Sequence, residues 1–293
     1  MGANLIAFPP QTAPISIMEP AQTQSASATV TAPITYSLDT GEKPVNETLE
    51  AGQVIRRRTG ATEQRITQIH DGRAQQAAFS LDVHGFVLVP HPTAVTDFFD
   101  AAELRTRYYA EVERLVREVS GALRVVVFDH TLRTGDTTEQ QEKRIREPVL
   151  WAHNDYTDWS GPQRLREILG AEAPTLLQRR FAIIQVWRAI QPAIERNPLA
   201  IVDARSVTAE DFVRAERRYP DRVGETYQLK FNRAQRWFYF PRMQRDEALV
   251  FKVFDSATDG RARFTPHTSF DDPRSAVDAP PRQSIEVRSF AFF

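Results

Sequence analysis

Short apolar runs, rich in β-branched and aromatic residues, recur along the C-terminal two-thirds of the chain. Eight such runs read as strands: LRVVVFDH, PVLWAHND, RFAIIQVWR, LAIVD, TYQLKFN, RWFYF, ALVFKVF and SIEVRSFAFF. Many short strands separated by turns are typical of an antiparallel sandwich or barrel rather than a doubly wound sheet. An earlier run, SLDVHGFVLVP at residues 80–90, predicts a further strand.

Helical periodicity interrupts this pattern in three places. After Asp100 and Glu103, which have capping-box spacing, an apolar stripe runs to a helix-ending Gly121. A second helix is predicted from Pro162 to Ile168, before Gly170. A third is predicted from Thr208, paired with Asp211, to Tyr219, because Pro220 follows. The stripe of the first helix consists of Tyr108, Val112, Leu115, Val116 and Val119.

The N-terminal segment differs in composition from the remainder of the chain. Residues 1–32 are rich in Ala, Thr, Ser, Pro and Gln, which predicts a flexible tail before one domain over residues 33–293. The first twenty residues lack the basic segment of a secretory signal. No apolar run reaches the roughly 18 residues that a membrane span needs. We therefore expect a cytoplasmic protein without a membrane partner.

Charge and cysteine content exclude several classes of function. The formal net charge of −1 argues against a nucleic-acid partner, because no basic surface is indicated. The absence of cysteine excludes disulfides, thiolate catalysis and zinc–thiolate sites.

The segment WAHNDY contains the pattern His-x-Asp at the end of an apolar run. On an extended strand His153 and Asp155 point to one face and Asn154 to the other. With a histidine from elsewhere they would form the 2-His-1-carboxylate triad of non-haem Fe(II) enzymes. By residue type alone, a hydrogen-bonded structural role is the more common one for either His153 or the distant His267.

Further segments resemble a known family. RFAIIQVWRAI, PLAIVDARSV, QRWFYFPRMQRDEALVFKVFDS, ARFTPHTSFDDP and PPRQSIEVR are similar to the hydroxylase/desaturase family of Fe(II)/2-oxoglutarate-dependent oxygenases in secondary metabolism. The resemblance covers residues 80–293. It implies a mainly β double-stranded β-helix, a cupin-like jelly roll with flanking α-helices, whose barrel spans about 120–293. It also implies hydroxylation or desaturation of a small molecule with O2 and 2-oxoglutarate, yielding succinate and CO2.

The resemblance also implies roles for particular residues. His153, Asp155 and His267 would bind Fe(II), while Arg282 and Ser284 would hold the distal carboxylate of 2-oxoglutarate. Two further residues are candidates for contacting cosubstrate or substrate. These are Tyr156, directly after the His-x-Asp pattern, and Arg188 at the end of a central strand. The alternative for Arg188 is that its side chain extends to place the charge in water.

Alternate residues of the last predicted strand point to the same face, and on one face four in a row are polar. Arg282, Ser284, Glu286 and Arg288 share one face, which either meets solvent or lines a polar barrel interior. The family pattern favours the interior, and there Glu286 would neutralise Arg288, since a buried cation needs a partner.

Asp155 and His267 are 112 positions apart, a longer separation than is usual in the wider oxygenase superfamily. An insertion between barrel strands would explain it, and the helix predicted around residues 208–218 is a candidate. Two alternatives stay open: a cupin-type metal-dependent isomerase or hydrolase without 2-oxoglutarate, and a non-catalytic accessory subunit of a biosynthetic enzyme pair. The sequence leaves open the substrate, the outcome of oxidation and the oligomeric state, including a homodimer.

Overall fold

The computed structural model describes residues 1–2, 29–48, 56–142 and 145–293, a part of the chain dominated by fifteen β-strands. The strands are β1 (Thr29–Ser37), β2 (Val45–Thr48), β3 (Arg56–Arg58), β4 (Thr62–Asp71), β5 (Phe86–Pro90), β6 (Arg124–Thr134), β7 (His153–Asn154), β8 (Phe181–Ala189), β9 (Leu199–Val202), β10 (Phe212–Arg218), β11 (Val223–Leu229), β12 (Trp237–Tyr239), β13 (Glu247–Asp255), β14 (His267–Ser269) and β15 (Gln283–Phe292). The helices are α1, which joins Ala101–Glu103, a π-helical turn at Leu104–Tyr108 and Tyr109–Ser120, then α2 (Thr137–Glu142), α3 (Ser160–Leu169) and α4 (Ala173–Leu176).

The strands form two sheets. The larger sheet has the order β1-β4-β12-β9-β14-β7-β11-β10-β2-β3, and the smaller one has the order β5-β13-β8-β15-β6. Within the smaller sheet every neighbouring pair is antiparallel. The predicted mainly β architecture with flanking helices is confirmed.

Two apolar clusters bury opposite faces of the smaller sheet. One includes Trp187 and Phe251 from that sheet together with Ile201 and Phe238 from the larger sheet, so it lies between the sheets. The other packs the outer face of the smaller sheet against α1. A sheet covered on both faces carries apolar residues in continuous runs, which is why RFAIIQVWR shows no alternation.

Helix α1 begins and ends as predicted. The Asp100 side chain accepts a hydrogen bond from the Ala102 amide, and Gly121 ends the helix with φ of 73°. Glu103 instead accepts from the amides of Thr96 and Asp97, so it closes the preceding loop rather than a capping box. The predicted helix before Gly170 is also confirmed, as α3.

The third predicted helix, from Thr208 to Tyr219, is wrong. The capping box of Thr208 and Asp211 forms, but it closes a single 3-10 turn at Ala209–Asp211. The following residues are strand β10, which pairs with β11 and, in parallel, with β2. The insertion between Asp155 and His267 therefore includes a β-hairpin, and its alternating buried Val213 and Ala215 obey a strand period.

Three other expectations change in extent. Most of the predicted tail, residues 3–28, lies outside the described residues, and β1 already begins at Thr29. Only residues 86–90 of the run 80–90 are strand, because a turn precedes them. Strand β7 is limited to His153–Asn154, since the earlier Trp151 makes only an isolated bridge with Thr35. The other seven predicted strands occur within a few residues of their expected bounds.

Candidate iron and 2-oxoglutarate site

His153, Asp155 and His267 come together although they are distant in sequence. His267 on β14 pairs directly with His153 on β7, which places their ring centroids 4.5 Å apart. Asp155 follows β7, and one donor atom from each of the three side chains lies within 4.8 Å of the others. Two imidazoles and one carboxylate in this proximity are a donor set suited to Fe(II).

The two histidines are oriented by backbone carbonyls. Nδ1 of His153 lies 2.9 Å from the Trp151 carbonyl oxygen, and Nδ1 of His267 lies 3.2 Å from that of Thr265. Since a carbonyl oxygen can only accept, each Nδ1 carries the proton and each Nε2 keeps a free lone pair. Burial, with the neighbouring His153, lowers the pKa of His267 to about 3, so its neutral, metal-binding form prevails at neutral pH.

Asp155 is held through one of its two oxygens. Gln185 donates from Nε2 to Oδ2 over 2.5 Å, and Nε of Arg288 lies 3.3 Å from the same oxygen. Oδ1 lies 3.4 Å from Nε2 of His153 and faces the triad. Burial would raise the pKa of Asp155, but the Arg288 guanidinium, together with His153 and His267, outweighs burial and holds that pKa well below its usual value. The carboxylate is thus ionised, with Oδ1 directed towards the imidazole of His153.

Asn154 points away from the triad, as the strand parity predicts. Its amide nitrogen donates to the carbonyls of Tyr156 and Val253, while its oxygen accepts from the Thr265 amide over 3.1 Å. The bond to Thr265 ties β7 to the loop that directly precedes His267 on β14.

The polar face of β15 lines the interior between the sheets, as the family pattern indicates. Arg282, Ser284 and Glu286 are all buried. Glu286 pairs with Nη2 of Arg288, so the predicted neutralisation is confirmed. Arg288 also donates to Asp129 over 3.0 Å and to Thr131 over 3.1 Å.

Arg282 and Ser284 retain unpaired polar atoms. Nη1 of Arg282 donates to the Asn197 carbonyl over 2.8 Å and to Ser269 Oγ over 3.1 Å. Among the residues that the structure describes, neither Nε of Arg282 nor Oγ of Ser284 has a hydrogen-bond partner. Burial, with the charge of nearby Arg133, lowers the pKa of Arg282 to about 9. A buried guanidinium without a carboxylate fits an incoming anion, because such a group would supply the missing partner.

Arg188 does not join this group. It pairs in register with Ile285, whereas its neighbour Trp187 pairs with the inward-facing Glu286. The Arg188 side chain therefore points to the opposite face of the smaller sheet, towards α1, and it is fully buried there. It contacts Nδ1 and the carbonyl of His91 and lies over the ring of Tyr108. Neither expectation for Arg188, a solvated charge or a cosubstrate anchor, agrees with this placement.

A cavity of about 200 Å³ opens beside the triad. His153, Asp155 and Tyr156 line it, together with Trp151, Arg133 and Arg288. Tyr156 therefore lies where a substrate or cosubstrate could contact it, and burial raises the pKa of its hydroxyl, which stays protonated. Arg133 pairs with Ser284 across β6 and β15 and lines the same region.

Sequence reasoning missed Gln185 and Arg133. Gln185 is the one polar residue in the otherwise apolar run FAIIQVW, and a buried lone glutamine could have been recognised as a partner of a polar site. Arg133 carries no such indication in the sequence. Its role becomes visible only from the pairing of β6 with β15.

The chain is similar to proteins named as hydroxylases, desaturases and Fe(II)/2-oxoglutarate-dependent dioxygenases. A family model described as an oxidoreductase/YMDC permease-like domain matches residues 34–292. The hydroxylase/desaturase CTB9 of Cercospora beticola is 34% identical over 253 residues, covering 79% of this chain and 77% of that relative. The Fe(II)/2-oxoglutarate-dependent dioxygenase nvfI of Aspergillus novofumigatus is 34% identical over 233 residues, covering 77% of this chain and 82% of that relative.

Similarity extends to solved structures. The iron and alpha-ketoglutarate-dependent endoperoxidase NvfI superposes with a TM-score of 0.78 at 28% identity, covering 90% of this chain and 98% of that structure.

Proposed function

The chain belongs to the hydroxylase/desaturase family of Fe(II)/2-oxoglutarate-dependent oxygenases, and from this premise we propose that it oxidises a C–H bond of a small-molecule substrate. Hydroxylation would convert substrate, 2-oxoglutarate and O2 into alcohol, succinate and CO2. Desaturation would consume the same cosubstrates and yield alkene, succinate, CO2 and water. One observation carries the proposal: a triad of two histidines and an aspartate adjoins a buried arginine and serine with unpaired polar atoms.

In this proposal His153, Asp155 and His267 hold Fe(II). The neutral imidazoles contribute lone pairs and Asp155 contributes one negative charge, and three protein ligands leave coordination positions open. Bound iron would supply the site that activates O2. Arg288 favours the ionised form of Asp155, and Gln185 and Arg288 both bond its Oδ2, which leaves Oδ1 for the metal.

Arg282 and Ser284 bind the distal carboxylate of 2-oxoglutarate. A guanidinium offers a planar fork that matches a carboxylate, and a hydroxyl two residues on shares its strand face. Ser284 shares its β15 face with Glu286 and Arg288, and the buried Arg282 directly precedes this strand, so the cosubstrate would extend from Arg282 towards the metal. Tyr156 and Trp151 line the adjoining cavity and would contact the substrate.

The relatives are named for hydroxylation, desaturation and endoperoxidation, so the outcome for this chain depends on how the substrate is placed. The proposed partner is a small molecule. Within the described ranges, no helix has the length and apolar character needed to cross a membrane.

Turnover of 2-oxoglutarate tests the proposal. Purified protein with Fe(II), a reductant, 2-oxoglutarate and air should form succinate in excess over bound iron, even without the substrate. His267→Ala should abolish this formation. His84→Gln serves as the control, because the half-buried His84 lies in the turn before β5, does not line the cavity, and accepts from the Ser80 amide.

Wild-type protein that binds Fe(II) yet forms no succinate would overturn the proposal. It would favour either metal-dependent chemistry without 2-oxoglutarate or an accessory role.

A further inference from the structure

The outer wall of the triad's cavity is formed by the hairpin of β10 and β11. Arg217 near the end of β10, Tyr219 in the turn and Arg222 before β11 line the same cavity as His153 and Asp155. The proposed chemistry uses none of these three side chains.

Strand register fixes where Arg217 lies relative to the triad. Strand β11 pairs with β7 at Gln228 and His153, and with β10 at Gly224 and Arg217. Positions 224 and 228 share a strand face, and paired residues also share a face, so Arg217 and His153 face the same side. Four residues of strand separate the two pairs by about 14 Å. Arg217 therefore lies at the end of the cavity remote from the metal ligands.

The guanidinium of Arg217 lacks an anionic partner in the described part of the chain. Its Nε is buried without a hydrogen bond, and the guanidinium lies over the ring of Tyr219, whose centroid is 5.5 Å from Cζ. Arg222 stacks on the same ring with Cζ 4.0 Å from the centroid. The carboxylate closest to Arg222 is that of Glu167, 3.9 Å from Nη1, beyond hydrogen-bond distance.

The acidic residues of this cavity are engaged elsewhere. Glu225 accepts from Thr157 and Lys43, each over 2.7 Å. Asp129 binds Arg288, and Glu167 accepts from Arg164 over 3.1 Å. Positive charge consequently dominates around Tyr219. Burial would raise the pKa of the Tyr219 hydroxyl, but the charges of nearby arginines, including Arg217 and Arg222, lower it.

We propose that Arg217 and Arg222, on either side of Tyr219, form a subsite for a carboxylate carried by the substrate. This inference rests on the proposed function. It makes the substrate a carboxylic acid whose anionic end is held at the hairpin while a remote carbon lies beside the triad. Two guanidiniums can bind one carboxylate through several charge-assisted hydrogen bonds, and Tyr219 offers a hydroxyl donor between them.

The subsite is distinct from the proposed cosubstrate anchor. Arg282 directly precedes β15 of the smaller sheet, whereas Arg217 and Arg222 belong to the hairpin of the larger sheet. Arg282 is also fully buried, while both hairpin arginines are partly exposed, as is expected where a substrate enters.

Binding of acid and amide pairs tests the inference. The probes are a panel of small aromatic and alicyclic monocarboxylates, each paired with its uncharged carboxamide, such as 2-naphthoate with 2-naphthamide. They are titrated anaerobically into protein loaded with Fe(II) and 2-oxoglutarate. Quenching of tryptophan fluorescence reports binding, because Trp151 and Trp159 line the cavity.

Several acids should bind at least tenfold more tightly than their amides. Arg217→Gln and Arg222→Gln should each weaken acid binding by about tenfold to a hundredfold, the loss of a charge-assisted bond, with little change for the amides. Arg218→Gln is the matched control: this neighbouring exposed arginine pairs with Glu216 and faces the other side of the strand. It should bind the acids as wild type does.

Equal binding of acids and amides across the panel, or no effect of Arg217→Gln on acid binding, would overturn the subsite. So would a panel in which no acid binds. The loading step separates the two claims: wild-type protein that fails to take up Fe(II) and 2-oxoglutarate contradicts the proposed function. Normal loading without preference for acids contradicts only the substrate class.

Discussion

Replacing Arg282 should separate recognition of 2-oxoglutarate from every other property of the site. Arg282→Met keeps much of the side-chain length but removes the guanidinium. Nη1 is already bonded to Asn197 and Ser269, so Nε and Nη2 are the donors available to a carboxylate. Two charge-assisted bonds at about 1.5–3 kcal/mol each give about 3–6 kcal/mol, or a loss of about 10²- to 10⁴-fold in affinity.

Arg282→Lys should fall between wild type and Arg282→Met. Lysine keeps the positive charge but presents it as a point rather than a fork, so one of the two bonds is lost. We expect a loss of about tenfold to a hundredfold. Stability should change little in Arg282→Met, because burial already disfavours the Arg282 charge and lowers its pKa to about 9.

Isothermal titration of metal-loaded protein under anaerobic conditions measures these affinities. Pyruvate is the control ligand, since it has the 2-oxo acid end but lacks the distal carboxylate; its affinity should be the same in all three proteins. Metal content and the unfolding temperature confirm that each variant is folded and loaded. If Arg282→Met binds 2-oxoglutarate within threefold of wild type, Arg282 does not hold the distal carboxylate.

Four further predictions concern the metal site and its surroundings. Asp155→Ala removes the anionic ligand and should abolish tight Fe(II) binding and turnover without unfolding the protein; metal-binding isotherms and circular dichroism check this, and full activity would disprove the assignment. Gln185→Leu removes the donor to Oδ2 and should weaken Fe(II) binding about 10- to 100-fold in a chelator competition, whereas unchanged affinity would exclude a positioning role. Gly85→Ala forces a side chain at φ of 89° to within 2.2 Å of the Thr265 hydroxyl, which should cost about 1–3 kcal/mol in urea unfolding and weaken metal binding; a variant as stable as wild type would contradict the crowding. Burial and Arg188 lower the pKa of His91 to about 4 from its usual value near 6.5, so the stability it contributes is present above pH 6.5 and is lost as the pH falls towards 4. Urea unfolding of metal-free protein should show about 1–2 kcal/mol more loss over that range in wild type than in His91→Gln, a figure reduced for partial exposure, and parallel pH profiles would refute it.

Two of the three proposed metal ligands could be predicted from the sequence because their geometry is local. His153 and Asp155 share a strand face by parity alone, and the polar face of β15 follows from the same count. The contact between His153 and His267 is long-range, because only the pairing of β7 with β14 places His267 beside His153. The family pattern supplied that long-range contact.

Two predictions were wrong because the local sequence pattern was compatible with two structures. The capping box at Thr208 indicates that a helical turn begins but does not determine how far it continues; pairing with β11 and β2 made the following residues a strand. Arg188 ends a strand that is apolar on both faces, so the sequence could not tell which face meets the site. The register with β15 determines the face, and it directs the Arg188 side chain towards α1.

The most direct test of the central claim is anaerobic titration of the Fe(II)-loaded protein with 2-oxoglutarate, followed by visible absorption. Coordination of 2-oxoglutarate to Fe(II) held by the triad should produce a weak metal-to-ligand charge-transfer band. The band should saturate at one equivalent of 2-oxoglutarate per iron, and the His267→Ala variant should not show it. Protein that retains bound Fe(II) but develops no band at saturating 2-oxoglutarate would contradict the account.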